Sequence, residues 1–249
     1  MVMIAQNSSE SLSFVPGPWW SPFATTAGVQ IVHVALSPDP ACESEAYGWL
    51  DKAERGAWGK YLPRPRRQFT LCRAALRAIL CERFDCRNDQ LSFGAGRHGK
   101  PFAIAGGARI PFNFNVSHSG GHGLIALSAA GRLGVDIEER IPRRYLNELI
   151  EAVMAPEEQT ELAALPESAK LHLFYRLWTL KEALIKALGT GFSTDPSGFQ
   201  APPAMRRDGR SSVFSFPNLP SVAWMLEDIG DERFAAALAY ELESPKIGR

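Results

Sequence analysis

The residues best suited to chemistry in this sequence are three carboxylates and a lysine in two short segments. Asp136 and Glu138 lie in the β-like run 134–138, whose period of two places both side chains on one face, about 7 Å apart. Glu182 and Lys186 are four residues apart in a helical run, so they share one face of the helix. Three carboxylates without a soft ligand favour Mg²⁺ over Zn²⁺, and the Lys186 ammonium suits phosphate oxygens.

Each segment also has an ordinary structural interpretation. A half-exposed strand can carry alternating carboxylates, and Glu182 with Lys186 can form a surface ion pair worth roughly a few tenths of a kcal/mol. A third segment, residues 113–120, reads NFNVSHSG, a strand that enters a glycine-rich turn. Its hydroxyl and imidazole groups suit a phosphate, although a polar strand end has the same composition. The hypothesis of a phosphate and Mg²⁺ site therefore depends on the three segments together.

Two further motifs do not support the chemistry that they first suggest. Residues 94–100 read GAGRHGK and fit part of a P-loop, but Pro101 stands where a Ser or Thr should meet Mg²⁺. No helix is predicted to follow, so a bound phosphate would lack a helix N-terminus. His118 and His122 have HxxxH spacing, but two glycines between them interrupt the helix that a zinc protease needs. We interpret the first motif as a turn and reject a zinc site.

Composition limits the class of protein. The chain has 249 residues, of which 45% are hydrophobic, and its 27 Lys and Arg balance 27 Asp and Glu. This is globular composition, and it excludes disordered and coiled-coil proteins. Zero net charge gives no general attraction to nucleic acid or anionic membranes, and no run reaches the ~18 to 20 apolar residues of a membrane span. Four cysteines without CxxC spacing and no secretion signal indicate a reduced, cytoplasmic protein. The charge balance and the lack of an apolar span predict that it has no nucleic-acid or membrane partner.

Strands and helices must position these segments. Hydrophobic periodicity and turn residues predict, in chain order, a strand over 29–36, helices over 38–62 and 67–84, four short strands between 102 and 138, helices over 142–165 and 171–188, and strands over 212–216, 222–226 and 234–240. The order of strand, helices and strands occurs twice, without a residue-level repeat. Because the strands are clustered, this order favours an α+β fold over a parallel doubly wound sheet.

The sequence therefore divides into three predicted parts. Residues 1–28 lack periodicity and are expected to form an irregular N-terminal arm. Residues 29–131 are expected to form an N-terminal α+β half. Residues 132–249 are expected to form a C-terminal α+β half that carries the metal site.

The chemistry-bearing segments occur in an order that closely resembles the 4′-phosphopantetheinyl transferases. The matching motifs are a basic helix RRQFTLCRAALR at 66–77, GKP at 99–101, NVSHSG at 115–120, GVDIE at 134–138 and WTLKEALIKALGTG at 178–191. The resemblance is to the larger, single-chain, pseudo-dimeric class that activates carrier proteins of peptide and polyketide synthases. It implies two similar α+β halves related by pseudo-two-fold symmetry, with coenzyme A in the cleft between them.

The resemblance implies an activity as well. Such an enzyme transfers the 4′-phosphopantetheine arm of coenzyme A to a serine of an acyl or peptidyl carrier protein and releases adenosine 3′,5′-bisphosphate. It would work as a monomer, because one chain supplies both sides of the cleft. Two other classes remain open: a non-catalytic module that binds carrier proteins, and a Mg²⁺-dependent nucleotide hydrolase.

The resemblance assigns the metal and the diphosphate to one group of residues. Asp136, Glu138 and Glu182 would bind Mg²⁺, which also touches the pyrophosphate of coenzyme A. Lys186 and His118 would contact that pyrophosphate, and Lys186 would stabilise charge during the reaction.

A second group would bind the rest of the coenzyme or move the proton. Arg67, Lys100 and Ser117 stand where the family binds the phosphates and nucleotide of coenzyme A. Either Glu158 or Glu182 would be the general base that deprotonates the acceptor serine. The residues that hold the 3′-phosphate stay unassigned.

Overall fold

The computed structural model describes residues 16–96, 98–191 and 194–242. Within these ranges the chain forms an α+β fold of six α-helices and antiparallel sheets. The helices are α1 (Pro40–Trp49), α2 (Lys52–Trp58), α3 (Pro63–Arg83), α4 (Leu146–Val153), α5 (Pro156–Ala163) and α6 (Glu167–Leu188). The strands are β1 (Trp20–Thr26), β2 (Val29–Ala35), β3 (Leu91–Ala95), β4 (Pro101–Ala105), β5 (Ala108–Arg109), β6 (Asn113–Ser119), β7 (His122–Ser128), β8 (Leu133–Glu138), β9 (Ser211–Phe216), β10 (Leu219–Asp228) and β11 (Ala235–Glu241).

Two four-stranded antiparallel sheets organise the molecule. The N-terminal sheet has the order β1-β2-β7-β6, and the C-terminal sheet has the order β8-β11-β10-β9. A small third sheet, β3-β4-β5, lies between α3 and β6 in the chain. None of the helices in the described ranges combines the length and the apolar run needed to cross a membrane.

The prediction of an irregular N-terminal arm is wrong for residues 20–26, which form a strand. Residues Trp20–Thr26 form β1, which pairs with β2 in an antiparallel ladder. The ladder shifts register between Pro22 and Ala24, so the side chains of β1 do not alternate strictly between apolar and polar. Residues 1–15 of the arm lie outside the described residues.

The N-terminal sheet buries one face against α3. Apolar side chains of α3 recur at helical spacing and pack against alternate residues of β2 and β7. The centre of this core is formed by Leu71, Leu76, Ile79, Val32, Val34, Ile125 and Leu127. The helical period of the sequence therefore sets which face of α3 is covered.

The C-terminal sheet is crossed by α6 at very short range. A Cβ atom on Gly134 of β8 would lie 2.2 Å from the carbonyl oxygen of Ala183 and 2.4 Å from the amide nitrogen of Ala187. Only glycine lets the helix approach this closely. As a result, the last turns of α6 lie directly over the carboxylates of β8.

The other faces of the two sheets pack against each other. Alternate residues of β2, β7, β8 and β11 form this core: Val29, Ile31, Leu124, Ala126, Leu133, Val135, Ile137, Ala236 and Leu238. Each of these strands thus buries both faces, one against the opposite sheet and one against a helix. The contact between the sheets brings the edge strands β6 and β8 together.

Two histidines lie in this inter-sheet core, beside Phe234. His33 Nε2 is 3.0 Å from His122 Nδ1, and the His33 ring stacks on Phe234 with a 5.9 Å centroid separation. Burial, with the neighbouring His122, lowers the pKa of His33 from 6.5 to about 4. Because the unfolded chain takes up this proton near pH 6.5 and the folded chain only near pH 4, stability is lost as the pH falls through that window.

We therefore predict that the thermal midpoint falls between pH 6.5 and pH 4 partly through His33. The His33→Gln variant should lose less of its free energy of unfolding over that pH range. Each ~1 kcal/mol that it retains should raise its thermal midpoint by about 2 to 4 °C relative to the wild type. Circular dichroism melts at several pH values measure this, with the exposed His98→Gln change as the control. Equal losses in His33→Gln and the wild type would contradict the prediction.

Candidate functional site

Six of the predicted site residues line one pocket of about 290 Å³ at the ends of β6, β8 and α6. They are Ser117, His118, Asp136, Glu138, Glu182 and Lys186, and we call this site the acidic pocket. The strand period places Asp136 and Glu138 on the face of β8 that α6 covers, and the helical period places Glu182 and Lys186 on the facing side of α6. Sequence spacing thus accounts for both pairs of side chains.

Lys186 is held by a compact polar group at the base of the pocket. Its Nζ donates to Asp136 Oδ1 at 2.6 Å and to Ser117 Oγ at 2.8 Å. Ser117 Oγ in turn donates to Asp136 Oδ1 at 2.8 Å. Asp136 is 6% exposed and Lys186 is 27% exposed, so the lysine can turn toward the pocket opening while the carboxylate cannot.

Ser119 is a site residue that sequence reasoning missed. Its Oγ donates to Glu138 Oε2 at 2.7 Å, and it lies on the same face of β6 as Ser117. The available signal was the period of two in NVSHS, which places both serines toward the same neighbour. Which strand would be that neighbour depends on how the sheets pack.

The pocket contains more carboxylate charge than its cations offset. Burial raises the pKa of Glu182, and the nearby charges of Asp136 and Glu138 raise it further, against the opposing effect of Lys186. Burial also raises the pKa of Glu138. The hydrogen bond from Ser119 lowers this pKa, and the charge of Asp136 raises it. These directions mean that an added cation would be stabilised in the pocket.

The described residues contain no group of three or more His, Cys, Asp or Glu side chains arranged to hold a metal ion. The expected three-carboxylate site is therefore not assembled in this structure, and Lys186 is bonded to Asp136 Oδ1 instead. The donor set nevertheless fits a hard divalent cation, because all three groups are carboxylates. Asp136 Oδ2 is also buried without a hydrogen-bond partner. Magnesium binding stays a prediction.

Two predicted coenzyme-binding cations lie outside the lining of the acidic pocket and contact main-chain carbonyls. Lys100 Nζ donates to Leu133 O at 2.7 Å and to Lys186 O at 2.9 Å, which ties the turn before β4 to the end of α6. Burial lowers the pKa of Lys100 to about 8. Arg67 Nε donates to Leu36 O at 3.0 Å. Their predicted role toward coenzyme A stays a prediction.

Glu158 is not brought to the acidic pocket. It is fully buried, 2.6 Å from Lys181 Nζ, and it accepts hydrogen bonds from the amides of Ala155 and Ala201. Lys181 also donates to Phe199 O at 2.8 Å. This ion pair joins α5, α6 and the segment that follows α6. Its contacts therefore indicate a role in stabilising the fold.

We predict that Glu158→Gln lowers stability more than turnover. The change leaves the buried Lys181 ammonium without its counter-charge, so the thermal midpoint should fall by several °C. Turnover of the folded protein should stay within about threefold of wild type. Assays below the midpoint, with the exposed Glu151→Gln as control, measure both. A loss of about 10²-fold or more in turnover at an unchanged midpoint would instead support Glu158 as the base.

The basic helix α3 divides into structural and cavity-lining residues. Arg77 is fully buried and donates to Asn88 Oδ1 at 2.7 Å and to Leu91 O at 2.8 Å, so it supports the fold. Arg73 lines a second cavity of about 210 Å³ between α3 and β6. Its guanidinium lies 4.2 Å from the centroid of the Phe93 ring, and its Nη1 is buried without a hydrogen-bond partner. We call this the α3 cavity; sequence reasoning did not single out Arg73.

The acidic pocket adjoins a cavity on each side. It shares Val116 and His118 with the α3 cavity. It shares Glu138 and Trp178 with a third, mostly apolar cavity of about 110 Å³, the aromatic cavity, which Phe174 also lines. The three spaces therefore form a row with the charged pocket in the middle. Desolvation and the charge of Lys186 lower the pKa of His118, which lies between the first two.

Comparison with known proteins identifies phosphopantetheinyl transferases among the relatives. Residues 132–239 match the family model described as the 4′-phosphopantetheinyl transferase superfamily. A putative 4′-phosphopantetheinyl transferase of Synechocystis sp. is 40% identical over 149 residues, which are 59% of this chain and 60% of the relative. A 4′-phosphopantetheinyl transferase of Nostoc sp. is 34% identical over 155 residues, 58% of this chain and 65% of the relative.

A vertebrate relative matches a longer stretch. The L-aminoadipate-semialdehyde dehydrogenase-phosphopantetheinyl transferase of Xenopus laevis is 29% identical over 195 residues, 71% of this chain and 65% of the relative. The chain thus spans less than two thirds of the length of each of these three relatives. The family model covers β8 to β11, including α6 and therefore the carboxylates and lysine of the acidic pocket. Residues 132–239 are thus similar to the 4′-phosphopantetheinyl transferase superfamily, and the three relatives named here are all phosphopantetheinyl transferases by name.

Proposed function

We propose that the protein transfers the 4′-phosphopantetheine arm of coenzyme A to a serine of an acyl or peptidyl carrier protein. The other product is adenosine 3′,5′-bisphosphate. The observation that carries this proposal is the row of three cavities, in which a pocket with three carboxylates and a lysine lies between two more apolar spaces. Coenzyme A has the same order of parts: a nucleotide, a diphosphate and an extended arm.

The nucleotide end is assigned to the α3 cavity. Arg73 offers a buried Nη1 without a partner, which suits a phosphate oxygen, and the Phe69 ring suits a base. Pro101 also lines this cavity, so the Lys100 turn lies at its edge. His118 stands between this cavity and the acidic pocket, where it would meet the diphosphate.

Asp136, Glu138 and Glu182 would hold Mg²⁺. When bound, the ion would polarise the diphosphate and offset the charge that develops on it. The buried, unpartnered Asp136 Oδ2 and the raised pKa of Glu182 support a cation in this pocket. Lys186 would leave Asp136 and turn to the phosphate oxygens, a movement that its partial exposure permits.

The transfer is a substitution at the β-phosphorus. The acceptor serine oxygen forms a bond to that phosphorus, and the bond from phosphorus to the oxygen bridging to the α-phosphate breaks. The serine proton passes to a carboxylate, directly or through one water. Of the two candidate bases, Glu182 lies in the acidic pocket and Glu158 is buried in an ion pair, so we assign this role to Glu182. Lys186 stabilises the bisphosphate as it leaves.

Mass spectrometry tests this proposal. A panel of apo-carrier proteins is incubated with the protein, coenzyme A and Mg²⁺, and a gain of one phosphopantetheine on a carrier serine is the expected result. The Asp136→Ala variant and a chelator serve as controls. Bisphosphate released from coenzyme A without a carrier would identify a nucleotide hydrolase. Carrier binding without any mass gain would identify a non-catalytic module.

We also propose that the two sheets with their helices form two halves of a pseudo-two-fold arrangement in a cytoplasmic monomer. The halves are residues 29–131, to which β1 is added, and residues 132–249. The acidic pocket combines β6 from the first range with β8 and α6 from the second. A single chain should therefore be active. Sedimentation velocity should give a monomer whose specific activity is unchanged on dilution, whereas an obligate dimer that loses activity as it dissociates would contradict this.

A further inference from the structure

The edge strands β6 and β8 lie side by side and are connected through side chains. Ser117 bonds to Asp136 and Ser119 bonds to Glu138, and both pairs are separated by 19 residues. A constant separation means that the two strands run in the same direction. In the described ranges, the backbone ladders of the two sheets do not include a β6–β8 pair. The position of β8 relative to β6 therefore depends on side-chain bonds.

Asn115 makes such a bond to the backbone of β8. Its Oδ1 accepts the Val135 amide hydrogen at 2.9 Å, in a buried position. Asn115 is 8% exposed and Val135 is 0% exposed, so water cannot replace this acceptor without rearrangement. A buried amide without an acceptor keeps the full cost of its desolvation, so loss of this bond is unfavourable. The amide side chain thus stands where the carbonyl of a neighbouring strand would be in a continuous sheet.

The bond lies next to the chemistry in sequence and in space. Val135 immediately precedes Asp136, and Asn115 is two residues before Ser117 on the same face of β6. A displacement of Val135 would move the Asp136 carboxylate away from Ser117 and Lys186. Positional errors of about 1 Å at such a site cost about 10²-fold in rate.

We propose that Asn115 is a positioning residue: its Oδ1 holds β8 against β6 and so fixes Asp136 in the acidic pocket. The proposal rests on the proposed function for its effect on turnover, but the bond itself does not. Asn115 acts on Asp136 through the Val135 amide, to which its Oδ1 bonds, because it does not line the acidic pocket. Asn115 also lines the α3 cavity, so the affinity for coenzyme A is measured together with turnover.

The main test replaces Asn115 with threonine, which favours a strand but has a side chain too short to reach Val135. Asn113→Thr is the matched control, because Asn113 lies two residues earlier on the same face of β6. Amide hydrogen exchange of Val135, Mn²⁺ affinity without coenzyme A, and steady-state kinetics are measured at a temperature below each thermal midpoint.

In Asn115→Thr we expect exchange at Val135 to accelerate at least about tenfold and Mn²⁺ affinity to fall several-fold. Turnover should fall at least about tenfold with KM for coenzyme A within about threefold, and Asn113→Thr should match wild type. Asn115→Asp keeps an acceptor of the same reach and should restore the slow exchange.

A role in stability alone would lower the midpoint and leave Mn²⁺ affinity and turnover of the folded protein unchanged, which would overturn the proposal. Unchanged exchange at Val135 in Asn115→Thr would overturn it as well. If wild type transfers no phosphopantetheine, the proposed function fails separately, because the exchange and Mn²⁺ measurements still decide whether Asn115 fixes β8. If Asn115→Thr does not fold, fast exchange at Val135 in the folded Asn115→Asp variant would overturn the proposal and slow exchange would support it.

Discussion

Replacement of Asp136 or Glu182 by alanine is expected to abolish phosphopantetheine transfer while leaving the fold intact. Both side chains line the acidic pocket, and neither belongs to an apolar core. Loss of Asp136 removes the carboxylate to which Lys186 and Ser117 are bonded. Loss of either carboxylate would leave too few anionic ligands for a tightly held divalent ion.

The expected stability of these variants follows from the charges in the pocket. Asp136 and Glu138 both raise the pKa of Glu182, so the carboxylates repel one another. Removing Glu182 relieves that repulsion, and the thermal midpoint should therefore not fall. Transfer assays, circular dichroism melts and Mn²⁺ titration measure the three effects, with the exposed Glu82→Ala as control. Near-normal turnover in either pocket variant with a native spectrum would refute the assignment of a metal site.

Glu138→Ala should be less severe than the other two changes. Glu138 lies at the edge of the pocket, where it also lines the aromatic cavity and accepts a bond from Ser119. A water molecule can take the place of its oxygen on a hard cation, because such ions commonly keep several waters. The relative loss of turnover in the three alanine variants therefore tests the arrangement of the pocket.

Local periodicity was sufficient to predict which site residues share a face. The period of two placed Asp136 with Glu138, and the period of 3.6 placed Glu182 with Lys186, as the structure has them. These predictions succeeded because each concerns neighbours within one element. The α+β class followed from the clustering of strands in the same way.

Contacts between distant elements could not be predicted from the same patterns. The bond from Lys186 to Asp136 depends on α6 crossing β8 at Gly134, and the bond from Asn115 to Val135 depends on how two sheets adjoin. Both contacts join residues 20 or more positions apart, and no periodic pattern encodes that pairing. The family resemblance named the motifs, but it did not indicate that Glu158 would be buried in an ion pair.

Strands β1 and β3 were not predicted from the sequence. Strand β3 has five residues, LSFGA, and a glycine in a run this short obscures any alternation. In β1 the bulge between Pro22 and Ala24 interrupts the period, so an arm was predicted in place of a strand. Both strands owe their order to neighbours that pair with them, β4 and β2. Where the local preference for a strand was weak, pairing with a neighbouring strand therefore determined the secondary structure.

Lys186→Ala is expected to lower turnover by roughly 10²-fold or more, the usual scale for removing one group that stabilises developing charge. Lys186 lies one helical turn beyond Glu182, so its ammonium would reach a phosphate that the carboxylates held through a metal ion. In the proposed transfer, Lys186 would meet negative charge that grows on the leaving bisphosphate as the phosphorus–oxygen bond breaks. Its contribution is therefore larger in the transition state than in the ground state.

The affinity for coenzyme A should fall much less than turnover in this variant. Other cationic and polar groups, including Arg73 and His118, line the adjoining α3 cavity and would still hold the ligand. Lys186→Arg should recover only part of the rate, since a planar guanidinium does not reproduce a compact ammonium. A residue that served only as an ion-pair partner of Asp136 would behave differently, because its loss would change stability slightly and leave turnover unchanged.

Measurement of turnover and of coenzyme A affinity for both variants separates these possibilities. Lys170→Ala is a suitable control, because Lys170 is on the same helix and its ammonium bonds to Glu167, away from the acidic pocket. A loss confined to affinity would reduce Lys186 to a ground-state binding residue. Unchanged turnover in Lys186→Ala would exclude a catalytic role, and the 2.6 Å contact with Asp136 would then be a structural ion pair. A fall in turnover that Lys186→Arg partly restores would instead locate the stabilising charge at this position on α6.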